Sequence, residues 1–353
     1  MTVLAALLGA LLACALLAPP AASVGWTDQP EGAPDRKERD ARVPLVGGAA
    51  VLLGVALSVA FGADAGALPW PAFLGAFVLG LVDDLLRSGL PAHTKFAGQL
   101  LVAALFALHP GSGWGSPTPG ELFALGALAV VAMNAINLFD HADGLVGGLC
   151  ALALAGSRPF LAASFLGFLP FNTVLRRELE RDPALHRTVP RAFLGDSGSH
   201  LAGIAILATP ASAWLLVVPV LDAVRVAVTR VHRGAPPWVG DRTHLGHRVA
   251  ALGAGPTGGA LLVLALSAPL VLVPALARGD GPLLLAASLA TLGYAVALWI
   301  TDSIGGDAEE GSAPVDGPSL DVEPREIPEA RAERSAPAPR PAEGHTAGPF
   351  ADA

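Results

Sequence analysis

Long apolar runs follow one another along most of the chain, and short polar stretches separate them. A helix that crosses a bilayer needs about 20 apolar residues, and several runs are shorter, so we expect some helices to be broken or tilted. The pattern predicts an all-α, polytopic integral membrane protein with about eleven transmembrane helices. The runs lie at 1–22, 44–61, 68–86, 95–108, 120–139, 144–157, 158–171, 198–209, 211–230, 253–277 and 281–301.

The composition agrees with a membrane protein. Apolar residues make up 53% of the chain and charged residues 15%, with a mean hydropathy of +0.56. Residues 303–353 differ, because they are rich in Asp, Glu, Pro and Ala and hold almost no large apolar side chains. We therefore expect a transmembrane domain over 1–302 and a disordered cytoplasmic tail over 303–353. The basic residues lack aromatic partners, which argues against nucleic-acid binding.

The distribution of basic residues predicts the orientation. Residues 1–22 resemble a secretory signal but lack a basic n-region, and a basic stretch follows them instead, so we expect a retained helix with its amino terminus outside. Alternating the spans from there leaves only Arg158 and Arg278 outside. The basic residues placed inside are Arg36, Lys37, Arg39, Arg42, Arg87, Lys95, Arg176, Arg177, Arg181, Arg187, Arg191, Arg230, Arg233, Arg242 and Arg248. This bias places the carboxy terminus in the cytoplasm.

Four polar clusters lie at the ends of apolar runs, and the same alternation places all of them on the cytoplasmic side. Carboxylates beside membrane spans are costly, so they indicate function before structure. A shared side would let segments far apart in sequence build one polar site. The clusters are Asp83-Asp84, the stretch 134–143 (NAINLFDHAD), the stretch 195–198 (GDSG) and the stretch 241–247 (DRTHLGH).

The first cluster suits a divalent cation. Asp83 and Asp84 close the third span, and Mg²⁺ prefers a few carboxylates together with substrate phosphate oxygens. Lys95 nearby would supply a point charge for phosphate. The alternative is a solvated pair of carboxylates at the membrane boundary.

The other clusters allow similar alternatives. The spacing of three places Asn134 and Asn137 on one helical face, and would do the same for Asp140 and Asp143 if the helix continued. Asp196 opens the eighth span, where it could instead cap the start of its own helix. The loop histidines, His244 and His247, lie beside Arg242 and Arg248 in a basic stretch that suits phosphate, although such a pair alone is usually solvated.

In order and spacing, these motifs resemble the polyprenyl-phosphate N-acetylhexosamine-1-phosphate transferases, glycosyltransferase family 4. This group includes phospho-N-acetylmuramoyl-pentapeptide transferase and the undecaprenyl-phosphate N-acetylglucosamine-1-phosphate transferases. The resemblance covers about residues 26–248 and ends at the histidine loop. Its motifs are Asp28, Pro30, Arg36, Lys37, Gly47-Gly48, Leu79-Gly80, Asp83-Asp84 with Lys95, NAINLFDHADGL, Gly167-Phe168 with Asn172, FLGDSGS, Pro219 with Asp222, and DRTHLGHR.

The resemblance implies a reaction at the cytoplasmic face of the bacterial inner membrane. A polyprenyl phosphate would attack the sugar-proximal phosphate of a UDP-N-acetylhexosamine, giving a lipid diphosphosugar and UMP, and we favour N-acetylglucosamine as the sugar. By resemblance Asp83, Asp84 and Asp143 are catalytic, and Asp84 and Asp196 bind Mg²⁺, with Mn²⁺ as a substitute. The implied substrate-binding residues are Lys95, Asn134, Asn137, Asp140, Asn172, Arg242, His244 and His247. The resemblance also allows a homodimer.

Two residues depart from the family pattern. The family reads NLxDGxDGL, and His141 stands where the first Gly is expected; its histidine loop reads HxHH, and Gly246 replaces the middle His. His141 either alters the turn or supplies the lost imidazole from another loop. The departures leave open an inactive member that binds its ligands without turnover. An ion-coupled transporter fits less well, because its carboxylates should lie at mid-membrane in broken helices.

Overall fold

A computed structural model describes residues 1–28, 42–66, 68–86, 88–109, 118–178, 188–236, 243–276 and 281–309. Fourteen helices and four short strands occur in these ranges. The helices are α1 (Thr2–Val24), α2 (Gly47–Ala60), α3 (Trp70–Leu85), α4 (Ala92–Ala107), α5 (Pro119–Phe139), α6 (Leu145–Leu154), α7 (Pro159–Thr173), α8 (Gly195–Leu207), α9 (Pro210–Ala213), α10 (Val217–His232), α11 (Leu245–Val249), α12 (Gly255–Ser267), α13 (Pro269–Leu276) and α14 (Gly281–Glu309).

The predicted apolar runs all fall on helices, so the all-α class is confirmed. Within the described part of the chain, four helical segments are long and apolar enough to cross a membrane: Thr2–Val24, Pro119–Phe139, Pro210–His232 and Pro282–Ser303. The predicted number of crossings and the predicted orientation of the termini stay predictions.

Exposed apolar side chains show where lipid would contact the protein. On α1, Leu4, Leu8, Leu12 and Leu16 recur every four residues and are all exposed, while the opposite face packs on α2 and α7. A continuous exposed apolar stripe of this kind suits a hydrocarbon environment and not water. The protein is therefore a multi-pass membrane protein.

Several predicted spans are interrupted. The run predicted at 211–230 begins as α9, passes through a 3₁₀ turn at Trp214–Leu216 and continues as α10. The run predicted at 253–277 divides into α12 and α13, and a π-helical turn precedes it, where Gly253 has a φ of +100°. Helix α14 runs to Glu309, so the boundary predicted at 302 falls inside this helix. The rest of the predicted tail, 310–353, lies outside the described residues.

Helix α8 lies at the centre of the bundle. It packs against α2, α3 and α5, and every residue from Ser197 to Leu207 is buried. Glycines on two neighbours make this packing close, because a Cβ at Gly48 or at Gly80 would overlap the backbone of α8 at its first turn. The polar start of α8 is therefore held between α2 and α3.

Two short antiparallel hairpins, absent from the predicted elements, lie beside the start of α2. Strands β1 (Thr27–Asp28) and β2 (Val43–Pro44) form one, and β3 (Arg176–Glu178) and β4 (Thr188–Pro190) form the other. The segment after β4 joins them, since Phe193 N–H donates to the Pro44 carbonyl over 2.9 Å. These contacts fix the chain that leads into α8.

Candidate active site

Lys95 joins two of the predicted acidic clusters. Its ammonium lies 3.2 Å from Asp83 Oδ2, at the end of α3, and also contacts Asp196 Oδ2, at the start of α8. Asp83 Oδ1 accepts the Leu90 backbone N–H at 2.7 Å, which ties the α3–α4 loop to the same carboxylate. Two carboxylates from distant segments thus converge on one cation position.

Asp84 caps the start of α8. Its Oδ1 accepts the Asp196 backbone N–H at 2.8 Å, and its Oδ2 accepts that of Ser197 at 3.0 Å. Gly195 has a φ of +73°, and a Cβ there would lie 2.6 Å from Asp84 Oδ2, so this position favours glycine for both reasons. The alternative in which Asp196 caps its own helix is wrong, because the cap comes from α3.

The amides of α5 extend the site. Helix α5 continues to Phe139, as the spacing of Asn134 and Asn137 requires. Asn137 Nδ2 donates to Asp196 Oδ1 at 2.8 Å and to Ser199 Oγ at 3.0 Å. Asn137 therefore orients the Asp196 carboxylate from the side opposite Lys95.

A polar chain behind Asp196 contains two buried residues, Gln99 and His200, that were missing from the sequence-based predictions. Asn134 Nδ2 donates to Gln99 Oε1 at 2.8 Å, and the Gln99 amide lies 3.1 Å from His200 Nε2. His200 Nδ1 lies 2.8 Å from the Asp196 carbonyl. Gln99 and His200 both interrupt apolar runs, and polar groups inside a membrane span are the signal that could have identified them.

The two remaining acidic residues of the second cluster lie in a turn. Helix α5 ends at Phe139 with Asp140 as its C-cap, so Asp143 is not on a continuation of the helix. Arg176 Nη1, on β3, lies 3.0 Å from Asp143 Oδ2. Burial raises the pKa of the Asp140 carboxyl well above its usual range, and nearby carboxylates, Asp196 foremost, raise it further. Asp140 thus lies in the field of the same acidic cluster.

Asn172 supports this turn from behind. It is buried, its Oδ1 accepts the Gly144 backbone N–H at 2.5 Å, and its Nδ2 donates to the Ala192 carbonyl at 3.1 Å. Gly144 has a φ of +83°, which lets the chain turn sharply from the acidic stretch into α6. Both ends of the Asn172 amide therefore bond to backbone that shapes the site.

The histidine loop is held by Asp222. His244 Nδ1 lies 2.6 Å from Asp222 Oδ2, and the Leu245 backbone N–H donates to Oδ1 at 3.2 Å. Tyr294 Oη and Arg225 Nη2 donate to the same Oδ1, at 2.7 Å and 3.2 Å. Asp222 thus joins α10, α14 and the loop through one buried carboxylate.

His141 places the second cluster next to the histidines. Its ring stacks on that of His244, with centroids 4.4 Å apart and planes 18° apart, and it lies 5.0 Å from the His247 ring. Burial, and then the charge that His244 and His247 can carry, lowers the pKa of His141 well below its usual range. All four predicted clusters are thus in contact through named residues, although Arg242 lies outside the described residues.

The acidic residues fit a magnesium ion. Oxygens of Asp83 and Asp196 converge on one cation, which in this structure is the Lys95 ammonium. Mg²⁺ prefers one or two carboxylates, with water and substrate phosphate oxygens completing its shell. Both oxygens of Asp84 accept backbone N–H groups, so its assignment as a metal ligand stays a prediction.

The fold and the site define a multi-pass membrane protein with a centre of acidic side chains around a lysine. The model of glycosyl transferase family 4 matches residues 68–213, a range that holds three of the four clusters. The decaprenyl-phosphate N-acetylglucosaminephosphotransferase of Mycobacterium leprae is 31% identical over 62% of this chain and 69% of that protein. The chain belongs to glycosyl transferase family 4, which confirms the resemblance.

Two further relatives have related names. The undecaprenyl-phosphate alpha-N-acetylglucosaminyl 1-phosphate transferase of Haemophilus influenzae is 27% identical over 74% of this chain and 82% of that protein. The protein of the same name from Escherichia coli is 26% identical over 66% of this chain and 71% of that protein.

Proposed function

We propose that this protein transfers N-acetylglucosamine 1-phosphate from UDP-N-acetylglucosamine to a polyprenyl phosphate at the cytoplasmic face of a bacterial inner membrane. The names of its relatives support the sugar and the lipid. The observation that carries the proposal is Lys95, whose ammonium joins the carboxylates of Asp83 and Asp196 at the ends of apolar helices. Such a centre can offset the charge of two phosphorylated substrates where lipid meets water.

The reaction needs positioning more than covalent chemistry. A phosphate oxygen of the lipid attacks the sugar-proximal phosphorus of the UDP-sugar. The bond between that phosphorus and the bridging oxygen of the diphosphate breaks, UMP leaves with that oxygen, and the new bond gives a lipid diphosphosugar. Lys95 supplies positive charge beside the reacting phosphates, and Asn137 holds Asp196 in a fixed orientation.

A bound Mg²⁺ would be held by Asp83 and Asp196, and would neutralise charge that develops on the phosphate oxygens. We assign Asp84 to the start of α8, where it holds the segment that carries Asp196. Mn²⁺ offers a similar preference for oxygen ligands. The metal and these roles are parts of the proposal.

The histidine loop would face the anionic side of the nucleotide sugar. Asp222 fixes the His244 ring through Nδ1, which leaves Nε2 as the other polar atom of that ring. Asp140 and Asp143 lie in the same turn as His141, which stacks on His244, and Asp140 also lies in the field of Asp196. Arg176 balances the charge of Asp143. These positions suit contacts along a nucleotide that extends between the two groups.

The test is a transfer assay. Membranes containing the protein are supplied with undecaprenyl phosphate, Mg²⁺ and a panel of radiolabelled UDP-sugars, and label is measured in the lipid phase. We expect label from UDP-N-acetylglucosamine, released UMP, and loss of both with Asp196→Asn. A matched control is Asp64→Asn, since Asp64 lies beyond the far end of α2 and the amide can still accept the Gly66 N–H.

The outcome separates the open alternatives. Saturable binding of the UDP-sugar without lipid label would indicate an inactive binder. Label from another UDP-sugar alone would overturn the choice of sugar and keep the transferase.

A further inference from the structure

His141 contacts three aromatic side chains from two segments of the chain. Its ring stacks on His244, tilts by 49° against His247, and meets the edge of Phe139 with centroids 5.9 Å apart. His141 is placed by the turn that follows α5, whereas His244 precedes α11 and His247 lies within that helix. One imidazole therefore bridges two of the polar clusters.

Gly246 lies directly against this imidazole. A Cβ built on Gly246 would lie 2.6 Å from His141 Nε2, closer than real Cβ contacts. His141 Nε2 is itself buried, with no hydrogen-bond partner in the described part of the structure. The ring thus occupies the volume that a side chain at position 246 would need, so such a side chain requires His141 to shift.

The partners on both sides of this contact are held by their own packing. On one side, Asp222 holds His244 through Nδ1 at 2.6 Å, so the face on which His141 stacks is fixed. On the other, the Gly246 carbonyl packs against α12, where a Cβ at Gly259 would overlap it. His141 and Gly246 are therefore a matched pair enclosed by buried contacts.

We infer that His141 is a positioning residue for the nucleotide-sugar side of the site: its ring replaces a side chain at position 246 and holds His244 and His247 in place. The pairing stands on packing alone, whereas the positioning role rests on the proposed function. The bulk of the ring is what the contact uses, because Nε2 faces the glycine and bonds to nothing in the described residues.

The experiment is a reciprocal exchange in the full-length protein. The variants are His141→Gly, Gly246→His, the double exchange of both, Gly246→Ala as the smallest clash, and His141→Phe. The last keeps an aromatic ring of somewhat larger size and removes both nitrogens, including the Nδ1 that lies 3.4 Å from the Leu138 carbonyl. Gly126→Ala is the control, since a Cβ at Gly126 meets nothing within 4 Å. Each is measured for thermal unfolding in detergent and for KM and kcat with the UDP-sugar.

We expect His141→Gly and Gly246→His, each on its own, to raise the KM for the UDP-sugar by about tenfold or more, because each loses a contact in binding. The double exchange should recover at least about tenfold in kcat/KM over Gly246→His. His141→Phe should keep KM within about twofold and unfold at an unchanged or higher temperature, because a buried unpartnered nitrogen is costly.

Three results would overturn the inference. In the first, the loss of kcat/KM in the double exchange would equal the product of the losses in the two single variants. The two positions would then act independently and would not share one volume. In the second, His141→Phe would lose activity at full stability, which would make a nitrogen the working atom. In the third, the purified protein would hold Zn²⁺ that His141→Phe loses, since atoms of His141, Asp222 and His244 lie within 4.8 Å of one another. Altered unfolding temperatures with no transfer by the parent protein would contradict the proposed function and leave the pairing intact.

Discussion

The Asp84 carboxylate holds the backbone of Asp196. It accepts the Asp196 N–H at 2.8 Å and the next N–H at 3.0 Å, so the residue that fixes this part of the site lies more than a hundred positions earlier in the chain. A carboxylate at a helix amino terminus also interacts favourably with the helix dipole. The two adjacent aspartates of α3 thus have different tasks, since Asp83 contacts Lys95 and Asp84 orients α8.

This difference predicts different effects for the two aspartates. Asp84→Ala leaves two backbone N–H groups uncapped, which should cost about 0.5–2 kcal/mol and lower both the unfolding temperature and transfer activity. Asp83→Asn keeps an acceptor for the Leu90 N–H, so it should leave stability nearly unchanged. Because it removes the carboxylate charge that contacts Lys95, it should abolish most transfer activity. Thermal unfolding and transfer assays on both variants check this. Equal unfolding temperatures for Asp84→Ala and the parent would contradict the capping role.

Metal dependence is a second prediction. The carboxylates of Asp83 and Asp196 share one cation position, so EDTA should abolish transfer, and Mg²⁺ or Mn²⁺ should restore it. In Asp196→Glu, which keeps the negative charge and lengthens the side chain, half-maximal transfer activity should require a higher concentration of free metal. Full activity in metal-free buffer would exclude the proposed metal site.

The raised pKa of Asp140 predicts a dependence of stability on pH. In the unfolded chain this carboxyl loses its proton near the ordinary value of about 3.9, whereas the folded protein retains the proton to higher pH. Stability is therefore lost as pH rises above the unfolded value, until the folded group also ionises. Asp140→Asn removes this loss, so in EDTA it should stabilise the protein more at about pH 8 than at about pH 4. Thermal unfolding of Asp140→Asn and of the parent protein at both pH values measures this. If the stability gained by the substitution became smaller as pH rises, the prediction would be contradicted.

The hub at Asp222 predicts graded losses. Tyr294→Phe removes one of its hydrogen bonds, worth about 0.5–1.5 kcal/mol, while Asp222→Asn weakens the contact that fixes His244. We expect a modest rise in KM for the UDP-sugar in the first variant and a larger one in the second. Ser267→Ala is the control, because that hydroxyl bonds only to its own helix among the described contacts. Similar KM values in all three variants would contradict the hub.

The shared side of the clusters predicts a labelling pattern. In a background without Cys14 and Cys150, cysteines at Ser88, Thr188 and Thr243 should be shielded from a membrane-impermeant thiol reagent in intact cells. Cysteines at Asp64 and Gly156, beyond the opposite helix ends, should be labelled. Labelling of Ser88 with protection of Thr243 would place two halves of the site on different faces, contrary to the contacts that join them.

The sequence predicted the helices and the polar clusters that converge in the structure because both depend on local patterns. Apolar runs mark helices whatever surrounds them, and a spacing of three placed Asn134 and Asn137 on one face before any packing was known. Carboxylates at span ends indicated the acidic centre for the same reason.

Other features depend on packing and left no local trace. That Asp84 would cap a distant helix follows from the close approach of α3 to α8 at Gly80, which no spacing rule contains. The strands of the hairpins are two or three residues long, too short for strand alternation to be visible. Asp222 and Gln99 were visible as polar residues in apolar runs, yet their partners became known only from the structure.

The glycines that clamp the first turn of α8 also constrain how this protein can diverge. Any side chain at Gly48 or Gly80 would displace the backbone that carries Asp196. Even the smallest substitution at these two positions should therefore disturb the site. The two segments that face the site depart from the family pattern at a contacting pair of positions, His141 and Gly246. New sugar preferences should therefore arise in these segments, while the start of α8 that carries Asp196 stays the same through evolution.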